Sequence, residues 1–251
     1  MSRPISDDDL LDLLRRTAEA VRGALDGVDD WMARGDRHDQ YAIDLATDAA
    51  ALAVLRDAGV GILSEESGLE RADADTMVIV DPVDGSTNAS LRLPWYCTSL
   101  CAADTHGARV ALVENLALGT RYEAVRGSGA TRDGEALVTP AAPPVDSSII
   151  ALTGGVPPAH PGTWQFRVFG AAALDLCAVA DGRFHGWLDV GAHPVWDYAA
   201  AVLICGEAGA RVAELDDLPL IHRSVTDKRT AVVAGSDALF DHLLATRRAW
   251  R

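Results

Sequence analysis

A mixed α/β protein in two lobes is what this sequence predicts, and three observations carry that prediction. Short apolar runs of strand length end in acidic residues or polar turns, as in Gly61-Ile-Leu-Ser and Val78-Ile-Val. Longer segments repeat apolar residues at helical spacing, and in the C-terminal half they alternate with the strands. A Pro/Ala-rich stretch at 139–146 interrupts the pattern and divides the chain into lobes of residues 1–145 and 146–251. At 251 residues, one large domain or two lobes around a shared core are both within reach.

Ser6 and Asp9 stand at capping-box positions ahead of Leu10, Leu13, Leu14, Ala18, Val21 and Leu25, the apolar stripe of a first helix. Residues 28–41 are charged and aperiodic, which predicts a loop or a mobile arm. A second helix is predicted over 47–58, stopped by Gly59. Buried strands follow at 61–64 and 77–80. Residues 97–103, 110–115 and 123–126 read as an antiparallel meander, with Gly-containing turns such as Asp133-Gly134 between its later pieces. Past the boundary, strands at 148–152, 184–190, 210–214 and 231–234 alternate with helices at 171–181, 197–208 and 236–248. No internal repeat or low-complexity segment stands out.

A hydrophobic fraction of 49% and a mean hydropathy of +0.07 are ordinary for a soluble globular protein. The formal charge of −15 argues against nucleic acid or an anionic membrane as partner. An anionic substrate stays compatible with that charge, because bound divalent cations invert the local field. The N-terminus lacks a basic region followed by an apolar run, which predicts no signal peptide. No stretch approaches the roughly 20 apolar residues that span a bilayer. Cys97, Cys101, Cys177 and Cys205 lie in apolar segments without Cys-x-x-Cys spacing; they read as buried free thiols and point to a cytoplasmic location. Arginine outnumbers lysine 21 to 1, Lys228 being the single lysine.

The chemistry concentrates at 78–88. An apolar strand delivers Asp81 and Asp84 onto a turn, and Gly85-Ser-Thr-Asn88 follows with backbone N–H groups able to start a helix. Carboxylates suit a hard cation such as Mg²⁺, and N–H groups at a helix start suit a phosphate. Other acids also stand at the ends of predicted elements: Asp48 in Asp44-Leu-Ala-Thr-Asp, Glu65 and Glu66 after a strand, and Asp197 before an apolar helix. Brought together they would repel unless cations neutralised them. Each has a purely structural reading as well. Asp197 can be an N-cap, Asp48 an early-helix acid, and Glu65 with Glu66 a solvated turn.

Two other motifs fail on spacing. An EF-hand loop beginning at Asp81 would put Val83, Gly85 and Arg92 at its third, fifth and twelfth positions. A haloacid-dehalogenase-type nucleophile motif separates its acids by one residue, where here there are two, and the only lysine is near the C-terminus.

Asp81-Pro-Val-Asp-Gly-Ser-Thr-Asn88 resembles the Asp-Pro-(Ile/Leu/Val)-Asp-Gly-(Thr/Ser)-x-Asn signature of the inositol monophosphatase family of Mg²⁺-dependent phosphatases. Trp196-Asp197-Tyr-Ala-Ala followed by Glu207-Ala-Gly resembles its second signature. Ser64-Glu-Glu-Ser67 is similar to its Gly-Glu-Glu-Ser turn, and Thr47-Asp48 to its Val-Thr-x-x-Asp helix start. The motifs occur in family order across roughly residues 44–235.

The resemblance implies a layered α-β-α-β-α sandwich of sugar-phosphatase type, usually a homodimer, with the site between the lobes. Two or three Mg²⁺ ions would be held by Glu65, Asp81, Asp84, Asp197 and the Val83 carbonyl. Asp48 and Ser86, with Glu65, would orient or deprotonate a water. The N–H groups of Gly85, Ser86 and Thr87 would hold phosphate oxygens, and Asp189 would meet substrate hydroxyls. The implied activity is metal-assisted hydrolysis of a small phosphorylated metabolite. Inositol 1-phosphate is the default substrate; histidinol phosphate, fructose 1,6-bisphosphate and 3′-phosphoadenosine 5′-phosphate are alternatives. A non-catalytic, metal-dependent binder of phosphorylated ligands is the rival of another class. Three departures stand out. The arm at 28–43 has no lysine, leaving Arg34, Arg37 and His38 as its cations. Ala171 replaces a hydroxyl residue near the substrate, and Ala46 replaces a valine.

Overall fold

Ser6 caps the first helix as its sequence position requires, accepting the Asp9 N–H, and α1 runs Asp7–Asp26 with Leu10, Leu13, Leu14, Ala18, Val21 and Leu25 buried. The structure, a computed structural model, describes residues 5–35, 37, 40–159 and 162–250. Helix α2 spans Ala42–Ala58, five residues longer at its start than its periodicity predicts. The extension has a local cause: the Asp44 carboxylate accepts the Tyr41 N–H and satisfies a donor at the helix start. Gly59 ends it in the left-handed region at φ 74°.

Eight strands form the first sheet: β1 Gly61–Ser64, β2 Gly68–Glu70, β3 Met77–Asp84, β4 Cys97–Asp104, β5 Gly107–Asn115, β6 Arg121–Val125, β7 Gly129–Arg132 and β8 Glu135–Leu137. A five-residue helix, α3 (Ser86–Ser90), follows β3. Their order is β2-β1-β3-β4-β5-β6-β7-β8, antiparallel except for β1 beside β3. The second half contributes β9 Ile149–Thr153, β10 Gln165–Arg167, α4 Ala172–Ala180, β11 Gly186–Asp189, β12 His193–Pro194, α5 Ala199–Glu207, β13 Arg211–Glu214, β14 Lys228–Arg229, β15 Ala231–Ala234 and α6 Asp237–Ala249. The second sheet runs β10-β9-β11-β15-β13, and β12 pairs with β14 in a separate two-stranded ribbon.

Alternation along the strands sorts the core into layers. On one face of the first sheet, Ile62, Val78, Val80, Leu100, Ala102, Val110 and Leu112 pack against α1 and α2. On its other face, Leu63, Met77, Ile79, Cys101, Ala111 and Val113 meet α4 and α5. Those helices in turn cover Ala151, Trp187, Ala231 and Val233 of the second sheet. The far face of that sheet, Ile150, Leu152, Leu188, Val232 and Ala234, packs on Leu239, Phe240 and Leu243 of α6. The sequence of layers is therefore α-β-α-β-α, as the resemblance implies. Helix α4 is buried at every residue and α5 nearly so, which is why neither shows a polar face. The boundary stretch at 139–146 is pinned where it crosses: Thr139 N–H donates to the Ala208 carbonyl and Ala142 N–H to that of Gly235. One apolar cluster runs through the middle layer from Leu63 to Val233.

The arm is docked rather than loose in its described part. Gly35 N–H donates to the Gln40 carbonyl and Ala42 N–H to that of Ala33, closing a hairpin. Trp31 and Tyr41 are buried with Ile43, Val83 and Tyr96, because their rings supply the apolar area that the charged pattern of 28–41 hides. Among the described residues, no helix is long and apolar enough to cross a membrane.

Glu207, at the end of α5, accepts the N–H groups of Gly127 and Gly129 through its two carboxylate oxygens, fastening the β6–β7 turn. Glu207→Ala leaves both donors without that partner. It is expected to cost about 1–3 kcal/mol in urea denaturation; an unchanged midpoint would show that water serves those amides equally well.

Candidate active site

Strand β3 does not end in a turn at Asp81, as its sequence suggests, but continues to Asp84 with a register shift. Asp81 faces Ser99 and Asp84 faces Cys97, so three steps on β3 match two on β4. This is a β-bulge, and Pro82 falls inside it, where a missing N–H breaks no ladder bond. Without the extra residue, positions 81 and 84 would face opposite sides of the sheet. With it, both carboxylates join the face that meets the second lobe, where the Ser99 hydroxyl donates to the Trp196 carbonyl and holds the segment carrying Asp197.

The parallel pairing of β1 with β3 aligns their C-terminal ends. Ser64 is level with Val80, and Glu65 N–H continues the ladder onto the Val80 carbonyl, bringing the Glu65 carboxyl to a hydrogen bond with Asp81. Glu65, Asp81, Asp84 and Asp197 thus come together from three elements, and each is pushed up in pKa. Burial is the largest cause for all four. It is reinforced by Asp197 and Glu66 at Glu65, raised to about 8, and by Glu65, Asp84 and Asp197 at Asp81, which lies well above its usual range. Asp84 rises only to about 6, since the N–H groups of Ala173 and Ala172 stabilise its charge; Asp197 rises to about 7, with His193 opposing the increase.

No group of three or more His, Cys, Asp or Glu side chains among the described residues converges closely enough to hold a metal ion. Asp84 instead spreads its two oxygens over the start of α4, at 3.2 Å from Ala172 N and 2.7 Å from Ala173 N. It supplies from another strand the cap that Ala171, lacking a hydroxyl, cannot. The donor chemistry nonetheless fits a hard divalent cation: four carboxylates and the Val83 carbonyl, all oxygen, with their charges in mutual repulsion. Asp197 is no N-cap. It lies in a short 3₁₀ turn, Val195–Asp197, and makes no capping bond to α5.

Gly85 adopts φ 88° at the head of α3 and sits where the lobes touch. A Cβ there would come within 3.0 Å of the Ala171 Cβ and 3.1 Å of the Trp95 carbonyl oxygen. Asn88 bridges the lobes beside it, its amide donating to the carbonyls of Trp95 and Phe169. The Ser86 hydroxyl donates to the Val83 carbonyl at 2.8 Å. First-turn N–H groups of a helix have no partner within it, which leaves those of Ser86 and Thr87 facing outward from α3.

Two expected site residues are used otherwise. Asp48 does not stand at a helix start. It is buried well inside α2, and its two oxygens accept the hydroxyls of Ser64 and Ser67, which flank Glu65 and Glu66. Through those two hydroxyls Asp48 clamps the turn that carries Glu65 and Glu66. Asp189 is fully buried, accepting the Gly191 N–H at 2.9 Å, because β11 runs it into the interior; it exposes nothing to a substrate. Its other oxygen lies 2.9 Å from His193 Nδ1, and His193 Nε2 is 4.0 Å from Asp197.

Sequence reading missed His193, whose i+4 spacing from both Asp189 and Asp197 was the available signal. Burial pulls its pKa down, but contact with Asp189, and the charges of Asp197 and Asp84, raise it overall. Glu66 was read only as a companion of Glu65; it receives Arg37 and Gln40 from the arm, tying the arm to the site. Arg34 is spent on the Tyr41 ring, 4.3 Å from its centroid. His38 lies outside the described residues.

The raised carboxyl pKa values have a consequence for stability. The folded chain holds protons that the unfolded chain releases near pH 4, so stability present below that pH is lost as pH rises through about 6–8. In EDTA, Glu65→Gln is expected to reduce that loss and melt on the order of 5 °C above wild type at pH 8.5, but not at pH 5. Parallel melting curves at both pH values would refute the repulsion.

Comparison with known proteins agrees with this architecture. The profile of the inositol monophosphatase family matches residues 34–250. The chain is 34% identical to a fructose-1,6-bisphosphatase/inositol-1-monophosphatase of Archaeoglobus fulgidus, over 96% of this chain and 98% of that protein. It is 32% identical to the Nus factor SuhB of Escherichia coli K12, over 79% and 77% of the two chains. The solved inositol monophosphatase of Anabaena (Nostoc) sp. PCC 7120 superposes with a TM-score of 0.81 at 25% identity, covering 97% of each chain. The chain belongs to the inositol monophosphatase family.

Proposed function

We propose that this protein is a Mg²⁺-dependent phosphomonoesterase acting on a small polyol or sugar phosphate, with inositol 1-phosphate as the first substrate to test. The observation that carries the reading is the gathering of Glu65, Asp81, Asp84 and Asp197 on one face, beside the N-terminus of α3. In this reading those carboxylates and the Val83 carbonyl hold two or three Mg²⁺ ions. Bound there, the ions would lower the pKa of an attacking water and neutralise charge on the phosphoryl and leaving oxygens.

The protein's own groups do the rest. The N–H groups of Gly85, Ser86 and Thr87 orient the phosphate oxygens. Ser86 keeps its proton on the Val83 carbonyl and turns its lone pairs outward, where they accept from the attacking water. Asp48 acts as a positioning residue: through Ser64 and Ser67 it fixes the turn that aims Glu65. Phe169, exposed and with its ring 5.0 Å from that of Trp95, and the exposed side chains of Leu93 and Val168 are apolar surface of the kind that supports the homodimer implied by the resemblance.

A second reading, a non-catalytic, metal-dependent binder of phosphorylated ligands, is favoured by the likeness to a relative named as a Nus factor rather than as a phosphatase. Phosphate release from inositol 1-phosphate, histidinol phosphate, fructose 1,6-bisphosphate and 3′-phosphoadenosine 5′-phosphate, with Mg²⁺ and with EDTA, separates the two. Mg²⁺-dependent release is expected, whereas tight binding without release would establish the binder. Asp84→Asn and Asp197→Asn are each expected to lower kcat at least about 100-fold. Ser86→Ala is expected to slow turnover on the order of 100-fold with metal affinity retained. Full activity in both Asn variants would overturn the site.

A further inference from the structure

Lysine occurs once in this chain, and the fold spends it at the site. Strand β14 pairs with β12 so that Lys228 faces Pro194 and Arg229 faces His193, three and four residues before Asp197. The ribbon is firmly based. Arg223 donates to the carbonyls of Ala72, Ala74 and Asp75, Tyr198 to that of Leu220, and Arg229 to that of Pro219. Arg229 is also paired with Asp227. Lys228 itself is exposed and makes no ion pair among the described residues, although its charge is felt at Asp197.

The contrast with arginine is instructive. Among the described residues eleven arginines are ion-paired, Arg15, Arg22, Arg37, Arg56 and Arg109 among them, as well as Arg229 of the ribbon itself. An ammonium on a flexible stem, anchored at a rigid base and left free at the rim of an acidic cluster, is suited to meet an anion arriving with the substrate. The reacting phosphate is placed at α3 in the first lobe, and Lys228 approaches Asp197 from the second.

We propose that Lys228 forms a subsite for a second anionic group of the substrate, a phosphate or a carboxylate, and so selects phosphomonoesters that carry two anionic groups. This deepens the phosphomonoesterase reading and rests on it. Two pairs of substrates isolate the second anion: fructose 1,6-bisphosphate against fructose 1-phosphate, and 2-phosphoglycerate against glycerol 2-phosphate. The first pair tests a phosphate, the second a carboxylate.

The measurement is the ratio of KM values within each pair for the wild-type protein, Lys228→Met and Lys228→Arg. The same ratio is read from calorimetric Kd values for phosphonate analogues, whose C–P bond resists hydrolysis. In at least one pair, the wild type is expected to favour the doubly anionic member. Lys228→Met should reduce that preference about tenfold, and Lys228→Arg should largely keep it. Because Lys228 is exposed, its replacement does not threaten the fold. Equal changes for both members of each pair would mean that Lys228 acts only through Asp197, and would overturn the subsite, as would unchanged ratios. Lys228-dependent preference in the binding ratios without turnover of any substrate would support the subsite and refute the phosphomonoesterase reading instead.

Discussion

Two acids three residues apart on a flat strand cannot work on the same ligand, because the pleat turns them to opposite faces. The single extra residue between Asp81 and Asp84 removes that obstacle, and much of the site depends on it. It turns Asp84 toward the second lobe, where the carboxylate meets the start of α4 and ties the helix to the first sheet. It also places Pro82 where proline is tolerated and lets Gly85 begin α3 in a left-handed conformation.

The electrostatics follow from this crowding. Four buried carboxyl groups raise one another's pKa values, and the charges opposing them are few: His193 and, at a distance, Lys228. Arginines that might have entered are engaged elsewhere, Arg37 with Glu66 and Arg34 with the Tyr41 ring. The surrounding hydroxyls are committed to geometry rather than to charge. Ser64 and Ser67 hold Asp48, and Ser99 holds the Trp196 carbonyl. A site of this kind is held rigid by its neighbours while its net negative charge is left for a cation.

Much of this was legible in the sequence, and what was hidden has physical causes. Residues whose roles are fixed by immediate neighbours could be read: Ser6 as a cap, Gly59 as a stop, the apolar strands, and the acids at their ends. The five layers came from the family resemblance, and the alternation of Val78, Ile79 and Val80 between two clusters bears them out. Features that depend on pairing between distant segments were not legible. The bulge is a property of β3 against β4, not of β3 alone. The resemblance gave Asp189 to substrate hydroxyls, and its burial comes only with the packing of β11. Asp48 looked like a helix-start acid until Asp44 moved that start upstream. The β12–β14 ribbon joins two dipeptides too short to give any periodic signal.

The shared apolar middle layer has a consequence of its own. Helices α4 and α5 bury apolar residues toward both sheets, and the cluster they anchor is continuous from Leu63 to Val233. Neither sheet can separate from these helices without exposing the surface that the other also uses. The two halves of the chain, although distinct in topology, therefore share one cooperative unit of unfolding. All four cysteine thiols are sealed inside that unit, so their chemistry becomes available only when the whole molecule opens.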